Sequence, residues 1–206
     1  MSAHPIEQES YRILAERIDL SALAPLSRAV VARVVHATAD VALADTMVLD
    51  EAPLHTAVAA LAGGAPVVAD VQMVVAGITG RDAQCFLERV PPGATRRTTQ
   101  VAGAAPTRTA QAMRLAAAAY PTGAVFVIGC APTALFELVA LCATGALDPA
   151  LVIALPVGFV GAAQSKAALR ASGLAAVSNV GERGGSAAAA AACNALIQIA
   201  DASPNG

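Results

Sequence analysis

The chain has 206 residues, of which 56% are hydrophobic and 3% aromatic, and its formal net charge is −2. Pro, Gly or a charge interrupts each apolar run well before the roughly 18–20 residues of a membrane-spanning helix, which argues against a membrane protein. The chain has neither a surplus of basic residues nor enough aromatic side chains to stack on bases, so we do not expect a nucleic-acid partner. We therefore expect a single domain over residues 1–206, located in the cytoplasm because no secretory signal opens the sequence.

Periodicity divides the N-terminal half into three helices and two short strands. Apolar residues recur at helical spacing over 6–17 and 25–39, and Pro25 suits the first turn of the second helix. His36 falls beside the apolar stripe of that helix, either as a hydrogen-bonded boundary residue or at the edge of a cleft. The remaining predicted elements are a helix at 53–61, with His55 on its surface, and strands at 66–69 and 85–90.

The alternation continues after an irregular connection at 91–107. The predicted elements are a helix at 107–119, a strand at 123–129, a helix at 130–145, a strand at 151–156, a helix after Gly161, a strand at 175–181 and a final alanine-rich helix. Five strands alternating with helices predict an α/β fold with three layers, α/β/α, and a mainly parallel central sheet. Ligands bind such a sheet beyond the carboxyl ends of its strands.

Polar and glycine residues follow four of the predicted strands, so we expect them to converge at that edge. They are Asp70, the loop after Gly129, the loop 156–161 and the segment GERGGS at 181–186. Gly158 and Gly161 leave backbone unshielded, which lets a flat or anionic ligand approach, although such glycines also simply turn a chain. In GERGGS, Ser186 is the predicted N-cap of the last helix, and the amides there favour an anion.

Arginines are concentrated in one sixth of the chain, which indicates either a solvated face or a site for a polyanion. The six residues are Arg81, Arg89, Arg96, Arg97, Arg108 and Arg114.

The four cysteines are scattered and show no metal-ligand spacing. We therefore expect them to be reduced, buried and structural, and we expect no metal site. Nucleotide-binding, nucleophile-elbow and zinc-protease motifs are missing from the sequence.

Several segments together resemble the precorrin-8X methylmutase family of cobalamin biosynthesis. They are RVVHA around His36, MVVAGI at 73–78, PTRT at 106–109, APTALFEL at 131–138, LPVGFVGAAQSK at 155–166 and GGS at 184–186. The resemblance implies an α/β homodimer with its site near the subunit interface, and it implies no cofactor. It also implies a tetrapyrrole substrate: a methyl group moves between adjacent carbons of ring C, turning precorrin-8X, or its cobalt-containing equivalent, into the corresponding corrin product.

The resemblance also assigns roles to individual residues. His36 matches the catalytic histidine of the family, and near-neutral titration suits a histidine to proton transfer in such a reaction. Arg108 matches an arginine that would grip one of the acid side chains of the macrocycle. The expected substrate-binding residues are Ser10, Thr107, Arg108, Gly158, Gly161, Lys166, Gly184, Gly185 and Ser186.

The chain departs from the family pattern at four polar positions. Pro106 and Cys130 stand where the family favours Asn, Gln164 where it favours an acid, and Glu182 where it favours Arg. These departures motivate a second hypothesis, a divergent paralogue that binds a corrinoid or related tetrapyrrole without isomerising it. A third, an unrelated enzyme for a phosphorylated metabolite, rests on GERGGS alone.

Overall fold

A single sheet of six strands runs through the part of the chain that the computed structural model describes, residues 4–92 and 107–202. The strands are β1 (Met47–Leu49), β2 (Val67–Ala69), β3 (Ala83–Cys85), β4 (Val125–Ile128), β5 (Leu151–Ala154) and β6 (Ala176–Asn179). Their order is β1-β6-β5-β4-β2-β3, and each neighbouring pair is parallel except β1 with β6. The predicted mainly parallel sheet is confirmed.

Helices cover both faces of this sheet. They are α1 (Pro5–Arg17), α2 (Pro25–Thr38), α3 (Glu51–Ala62), α4 (Gln72–Gly77), α5 (Arg108–Ala119), α6 (Pro132–Ala143), α7 (Ala162–Ala171) and α8 (Ser186–Ala202). One apolar core lies between the sheet and α2, α3, α4 and α8, and a second core lies between the sheet and α5, α6 and α7. Helix α1 packs outside the first layer, against α2. The three-layer arrangement is the predicted one.

The central strands explain why their sequences are apolar throughout. On β4, Val125 and Val127 enter the first core, whereas Phe126 and Ile128 enter the second. Side chains alternate across a strand, so a strand covered on both faces needs an apolar residue at every position. The alanine-rich sequence of α8 allows close packing: a Cβ placed on Gly77 of α4 would lie 2.8 Å from Cβ of Ala190.

One predicted strand was wrong in its extent, and one strand was missed. The predicted strand at 85–90 is a strand that ends at Cys85, followed by a 3-10 turn over Leu87–Arg89. The guanidinium of Arg108 binds the carbonyls of Leu87 and Val90, which fixes this turn from a distant helix. Strand β1 was not predicted because it has three residues and forms only by pairing with β6.

Within residues 4–92 and 107–202, none of the helices has the length and apolar character needed to span a membrane. The predicted connection at 91–107 lies almost wholly outside the described residues, as do Arg96, Arg97 and Pro106. The prediction of one domain over the whole chain stays a prediction.

Candidate active site

The loops after β5 and β6 are joined at the carboxyl edge of the sheet. The amide of Gly185 donates to the carbonyl of Leu155 at 2.8 Å, and the amide of Gly158 donates to the carbonyl of Glu182 at 3.0 Å. A Cβ on Gly184 would lie 2.2 Å from the Leu155 oxygen, and the φ of this residue is +146°. Only glycine fits there, so the glycine-rich sequence serves first to bring two loops together.

Lys166 fixes one of these two loops, the loop after β6, from inside the protein. Its side chain is fully buried, and Nζ donates to Oδ1 of Asn179 and to the carbonyl of Arg183, both at 2.8 Å. Nδ2 of Asn179 donates to the same carbonyl at 3.0 Å. Burial, with a smaller contribution from Arg170, lowers the pKa of Lys166 to about 8. The lysine thus contacts the backbone of the loop that follows β6.

Asp70 organises the loop after β4. Its buried carboxylate accepts hydrogen bonds from the amides of Gly129, Cys130 and Ala131, at 3.1, 2.9 and 2.7 Å. Burial raises the pKa of Asp70, while the three amides oppose this rise because they bond the charged form. The carboxylate therefore occupies the N-terminus of α6, which would otherwise attract an external anion.

His36 lies in the last turn of α2 and is contacted by α1. Nδ1 of its imidazole is 2.9 Å from Oγ of Ser10, and the ring of Tyr11 stacks on it. Helix α2 ends at Thr38, and Ala39 takes a left-handed conformation with φ +53°. The hydrogen bond places Ser10 beside His36, and it leaves Nε2 as the ring nitrogen not engaged by Ser10.

An ion pair connects the end of α2 to the loop after β6. Nη1 of Arg183 lies 2.7 and 2.5 Å from the two carboxylate oxygens of Asp40, which is four residues beyond His36. His36 and the glycine loops are therefore on the same edge of the sheet, although 143 residues separate the paired side chains.

This edge exposes apolar side chains as well as backbone. Phe159 is 89% exposed, and three valines on the same two loops are also exposed, namely Val157, Val160 and Val180. Exposed apolar surface of this kind, next to glycine backbone, can contact a flat ligand or another protein surface.

The cavity at His36 is small and open. A pocket of about 100 Å³ is lined by residues of α1, the end of α2 and the segment that follows: Ser10, Ile13, Leu14, Arg17, Val35, His36, Ala39 and Val41. A wider open cleft of about 900 Å³ lies between α1, α2 and α8, with Tyr11 and Arg33 on its wall. A drug-sized ligand needs a pocket of roughly 300–1,000 Å³, so the His36 pocket holds only part of a large ligand.

Thr107 and Arg108 lie where α5 begins, near the start of α6. Oγ1 of Thr107 accepts from the amide of Ala110 and bonds to Oγ1 of Thr133 at 2.8 Å. Arg108 uses Nε and Nη2 for the carbonyls of Val90 and Leu87, both at 2.8 Å. The structure does not bring these two residues into contact with His36.

The arginine-rich segment does not form one anion site in the part of the chain that is described. Each of its four described arginines binds a different partner: Arg81 pairs with Asp201, Arg89 lies over the ring of Phe86, Arg108 binds two carbonyls, and Arg114 pairs with Glu137. The separate partners of these four arginines agree better with a solvated face than with a single site for a polyanion.

The prediction that all four cysteines are buried was wrong. Cys193 is fully buried, and burial raises its pKa to about 12, but Cys85 and Cys142 are partly exposed and Cys130 is exposed. Cys130 lies two residues beyond the end of β4, so it shares the carboxyl edge with the exposed side chains of Gln164 and Glu182. Three of the four departures from the family pattern thus lie at this edge, and the fourth, Pro106, is outside the described residues.

Sequence reasoning missed the contacts of Tyr11 and of Asp40. Tyr11 is one of two tyrosines in the chain and is adjacent to Ser10, which was a usable signal. Asp40 gave none, because its partner Arg183 comes near only in the folded chain.

These features define a class: an α/β protein whose candidate site combines a histidine, held by a neighbouring helix, with apolar and glycine-rich loops at the carboxyl edge of a parallel sheet. The model of the precorrin-8X methylmutase family matches residues 5–199. The chain belongs to this family.

Individual relatives agree with the family match. A cobalt-precorrin-8 methylmutase of Methanothermobacter thermautotrophicus is 38% identical and covers 95% of this chain and 93% of its own. A precorrin-8X methylmutase of Sinorhizobium sp. is 37% identical, with 94% and 93% covered. The solved structure of the precorrin-8X methylmutase from Thermus thermophilus superimposes with a TM-score of 0.80 at 30% identity, covering 96% of this chain and 98% of its own.

Proposed function

We propose that this protein is an isomerase of cobalamin biosynthesis that moves a methyl group between adjacent carbons of ring C in precorrin-8X or cobalt-precorrin-8. Family membership, with relatives named for both substrates, supports the reaction class. The observation that carries the proposal for the site is the hydrogen bond between Ser10 and His36 at the edge where the exposed loops meet.

The reaction is intramolecular, so atoms balance without a second substrate: the bond from the methyl group to one ring carbon breaks as the bond to its neighbour forms. We assign His36 as the general acid that supplies a proton where electron density develops during this shift, and one proton returns to the imidazole as the product forms, because substrate and product have the same composition. The protein must also hold the conjugated macrocycle in a reactive shape. This role falls to the loops after β5 and β6.

The remaining predicted residues act in two ways in this proposal. Backbone at Gly158, Gly184, Gly185 and Ser186 lies against the ring, together with the exposed apolar side chains of the same loops. Gly161 is buried and acts indirectly, as the residue from which α7 begins. Lys166 acts indirectly, since its buried ammonium fixes the loop rather than meeting the ligand. Thr107 and Arg108 bind an acid side chain of the macrocycle.

We also propose a homodimer that completes the site, as the family resemblance implies. The open His36 pocket of about 100 Å³ and the exposed Phe159 and Val160 support this proposal. Light scattering should give twice the 20.4 kDa mass of one chain. The predicted cytoplasmic location stays a prediction.

A second candidate function is binding of a corrinoid without isomerisation. It is favoured by the exposure of Cys130, Gln164 and Glu182 at the site edge, where each replaces a residue that the family prefers. Tight product binding by the unaltered protein, with no turnover, would establish this alternative.

The deciding experiment is an anaerobic incubation of the purified protein with precorrin-8X, followed by visible absorbance. We expect conversion to hydrogenobyrinate, and we expect His36→Ala to lower turnover at least about 100-fold while product binding remains. His55→Ala is the matched control, because His55 is exposed on α3, where its Nε2 lies 3.8 Å from Oε1 of Glu51. Undiminished turnover by His36→Ala would exclude His36 as the general acid.

A further inference from the structure

Tyr11 covers one face of the His36 imidazole. The two ring centroids are 4.7 Å apart and the ring planes differ by 10°. Because Ser10 and Tyr11 are consecutive residues of α1, one turn of this helix contacts the imidazole twice, at Nδ1 and over its face. The hydrogen bond restrains the direction of Nδ1, and the stack restrains the plane of the ring.

Tyr11 is itself held at its far end. Nη1 of Arg33 donates to the Tyr11 hydroxyl at 3.3 Å and to Oε1 of Glu7 at 2.6 Å. Arg33 lies on α2 three residues before His36, so its side chain is on nearly the same face of that helix. The Arg33–Glu7 pair joins α1 to α2, and both side chains are about one third exposed. The tyrosine ring is therefore fixed between two helices.

Such restraint matters because the last side-chain torsion of histidine is broad and close to two-fold. A half-turn of the ring keeps its plane and is opposed by the Ser10 contact at Nδ1. A smaller rotation tilts the ring out of the plane that stacks on Tyr11 and moves Nε2 away from its former place. A general acid must lie within hydrogen-bond reach of the atom it protonates, so a displaced Nε2 transfers its proton slowly.

Resting on the proposed role of His36, we propose that Tyr11 is a positioning residue for the methyl shift: its ring face fixes the imidazole plane so that Nε2 points at the substrate. The hydroxyl and Arg33 anchor the ring but do not act on the reaction. This assigns the effect to the aromatic face, which phenylalanine would preserve and leucine would not.

The kinetic test compares three variants in the isomerase assay. We expect Tyr11→Leu to lower kcat about tenfold with KM within twofold, because the ring of His36 is misplaced in a fraction of molecules. Tyr11→Phe should keep both constants within twofold. Tyr120→Leu is the matched control, because Tyr120 is the other tyrosine and caps α5 against Phe86, away from His36. A raised KM with unchanged kcat in Tyr11→Leu would overturn the inference.

An NMR measurement tests the same inference without turnover. The chain has three histidines, so the His36 signals can be identified by their loss in His36→Asn. The 2.9 Å contact between Nδ1 and Ser10 places Hε1 of His36 near the Ser10 β protons. We expect a nuclear Overhauser effect between them in the unaltered protein and in Tyr11→Phe, and its loss in folded Tyr11→Leu. If the nuclear Overhauser effect persists in Tyr11→Leu, the positioning role of Tyr11 is overturned. If the unaltered protein shows the effect but no turnover, and the effect is lost in Tyr11→Leu, only the proposed reaction is overturned.

Discussion

Nζ of Lys166 lies 2.8 Å from Oδ1 of Asn179, and the two side chains converge on the carbonyl of Arg183. This contact fixes the loop between β6 and α8 from inside the protein. It places a cation in a fully buried position beside an amide rather than a carboxylate. No opposite charge offsets the burial at this contact, so burial lowers the pKa of Lys166 to about 8.

The first prediction is that Lys166 makes stability depend on pH in the alkaline range. Its pKa falls from 10.5 to about 8 on folding, so the unfolded chain binds more protons between these values. Stability contributed by this residue must then rise as pH increases from 8 towards 10.5. The neutral amine still donates both hydrogen bonds, so the loop contact survives the loss of charge.

Urea unfolding at pH 7, 8, 9 and 10 checks this prediction. The free energy of unfolding of the unaltered protein minus that of Lys166→Met should increase over this series, because other titrating groups cancel in the difference. Lys166→Arg keeps its charge from pH 7 to pH 10. The free energy of unfolding of Lys166→Arg minus that of Lys166→Met should therefore not change with pH. A flat difference for the unaltered protein as well would show that Lys166 stays charged up to pH 10.

The second prediction separates close packing from backbone strain at two glycines. Gly184 and Gly158 have nearly equal φ values, +146° and +142°, but a Cβ would lie 2.2 Å from the Leu155 oxygen at Gly184 and would meet nothing within 4 Å at Gly158. Gly158→Ala should lower the free energy of unfolding by about 1–3 kcal/mol through φ alone. Gly184→Ala should lower it by at least about 2 kcal/mol more, because the loops must separate. If chemical denaturation shows equal losses in the free energy of unfolding for the two variants, the close approach of Gly184 to the Leu155 oxygen does not contribute to stability.

The third prediction concerns the carboxylate of Asp70. In Asp70→Asn the side-chain NH₂ group must face at least one of three amides that now donate to a carboxylate oxygen, at Gly129, Cys130 and Ala131. We expect a loss of about 2–4 kcal/mol in the free energy of unfolding, from an unsatisfied amide and a lost charged acceptor. Asp50→Asn is the control, because Asp50 is exposed and its side chain does not cap α3. Its effect should stay within about 0.5 kcal/mol, and a similar value for Asp70→Asn would contradict the prediction.

The sequence predicted those strands whose position along the chain is determined by local composition. Every residue of β4 and β5 is apolar because both faces of these strands are covered, and turn residues bound each run. Strand β1 was not predictable, since Met47–Leu49 is extended only through its pairing with β6. The segment 85–90 has strand-like composition, but contacts from Arg108 hold it in a turn.

In the candidate site, too, some features could be predicted from the sequence and others depend on contacts that form only in the folded chain. His36 and Ser10 followed from the family resemblance, and the structure brings them together. The direction of Lys166 was readable in principle: the buried residues of α7 are Ala162, Ser165, Lys166 and Leu169, a helical spacing that puts the lysine on the inner stripe. The ion pair of Asp40 with Arg183 was not readable, because it joins residues 143 positions apart.

The fourth prediction tests the departure at Glu182. Its exposed side chain stands at the proposed ligand edge, at a position where the family resemblance predicts Arg, and the neighbouring Arg183 is paired with Asp40. A ligand that carries acid side chains is therefore repelled by Glu182. Glu182→Arg should tighten binding of hydrogenobyrinate about 3- to 10-fold at low salt, with a smaller gain at high salt because exposed charges are screened.

Asp148→Arg provides the matched control for this charge change. Asp148 is exposed and precedes β5, so it lies at the amino edge of the sheet, opposite the proposed site. The Asp148→Arg variant changes the net charge by the same amount as Glu182→Arg. It should leave the dissociation constant for hydrogenobyrinate, measured by absorbance titration, within about twofold. Equal tightening by both variants would mean that the overall charge of the protein controls binding. No tightening by Glu182→Arg would mean that the acid side chains of the ligand do not approach this loop, and the ring would then have to lie on another part of the edge.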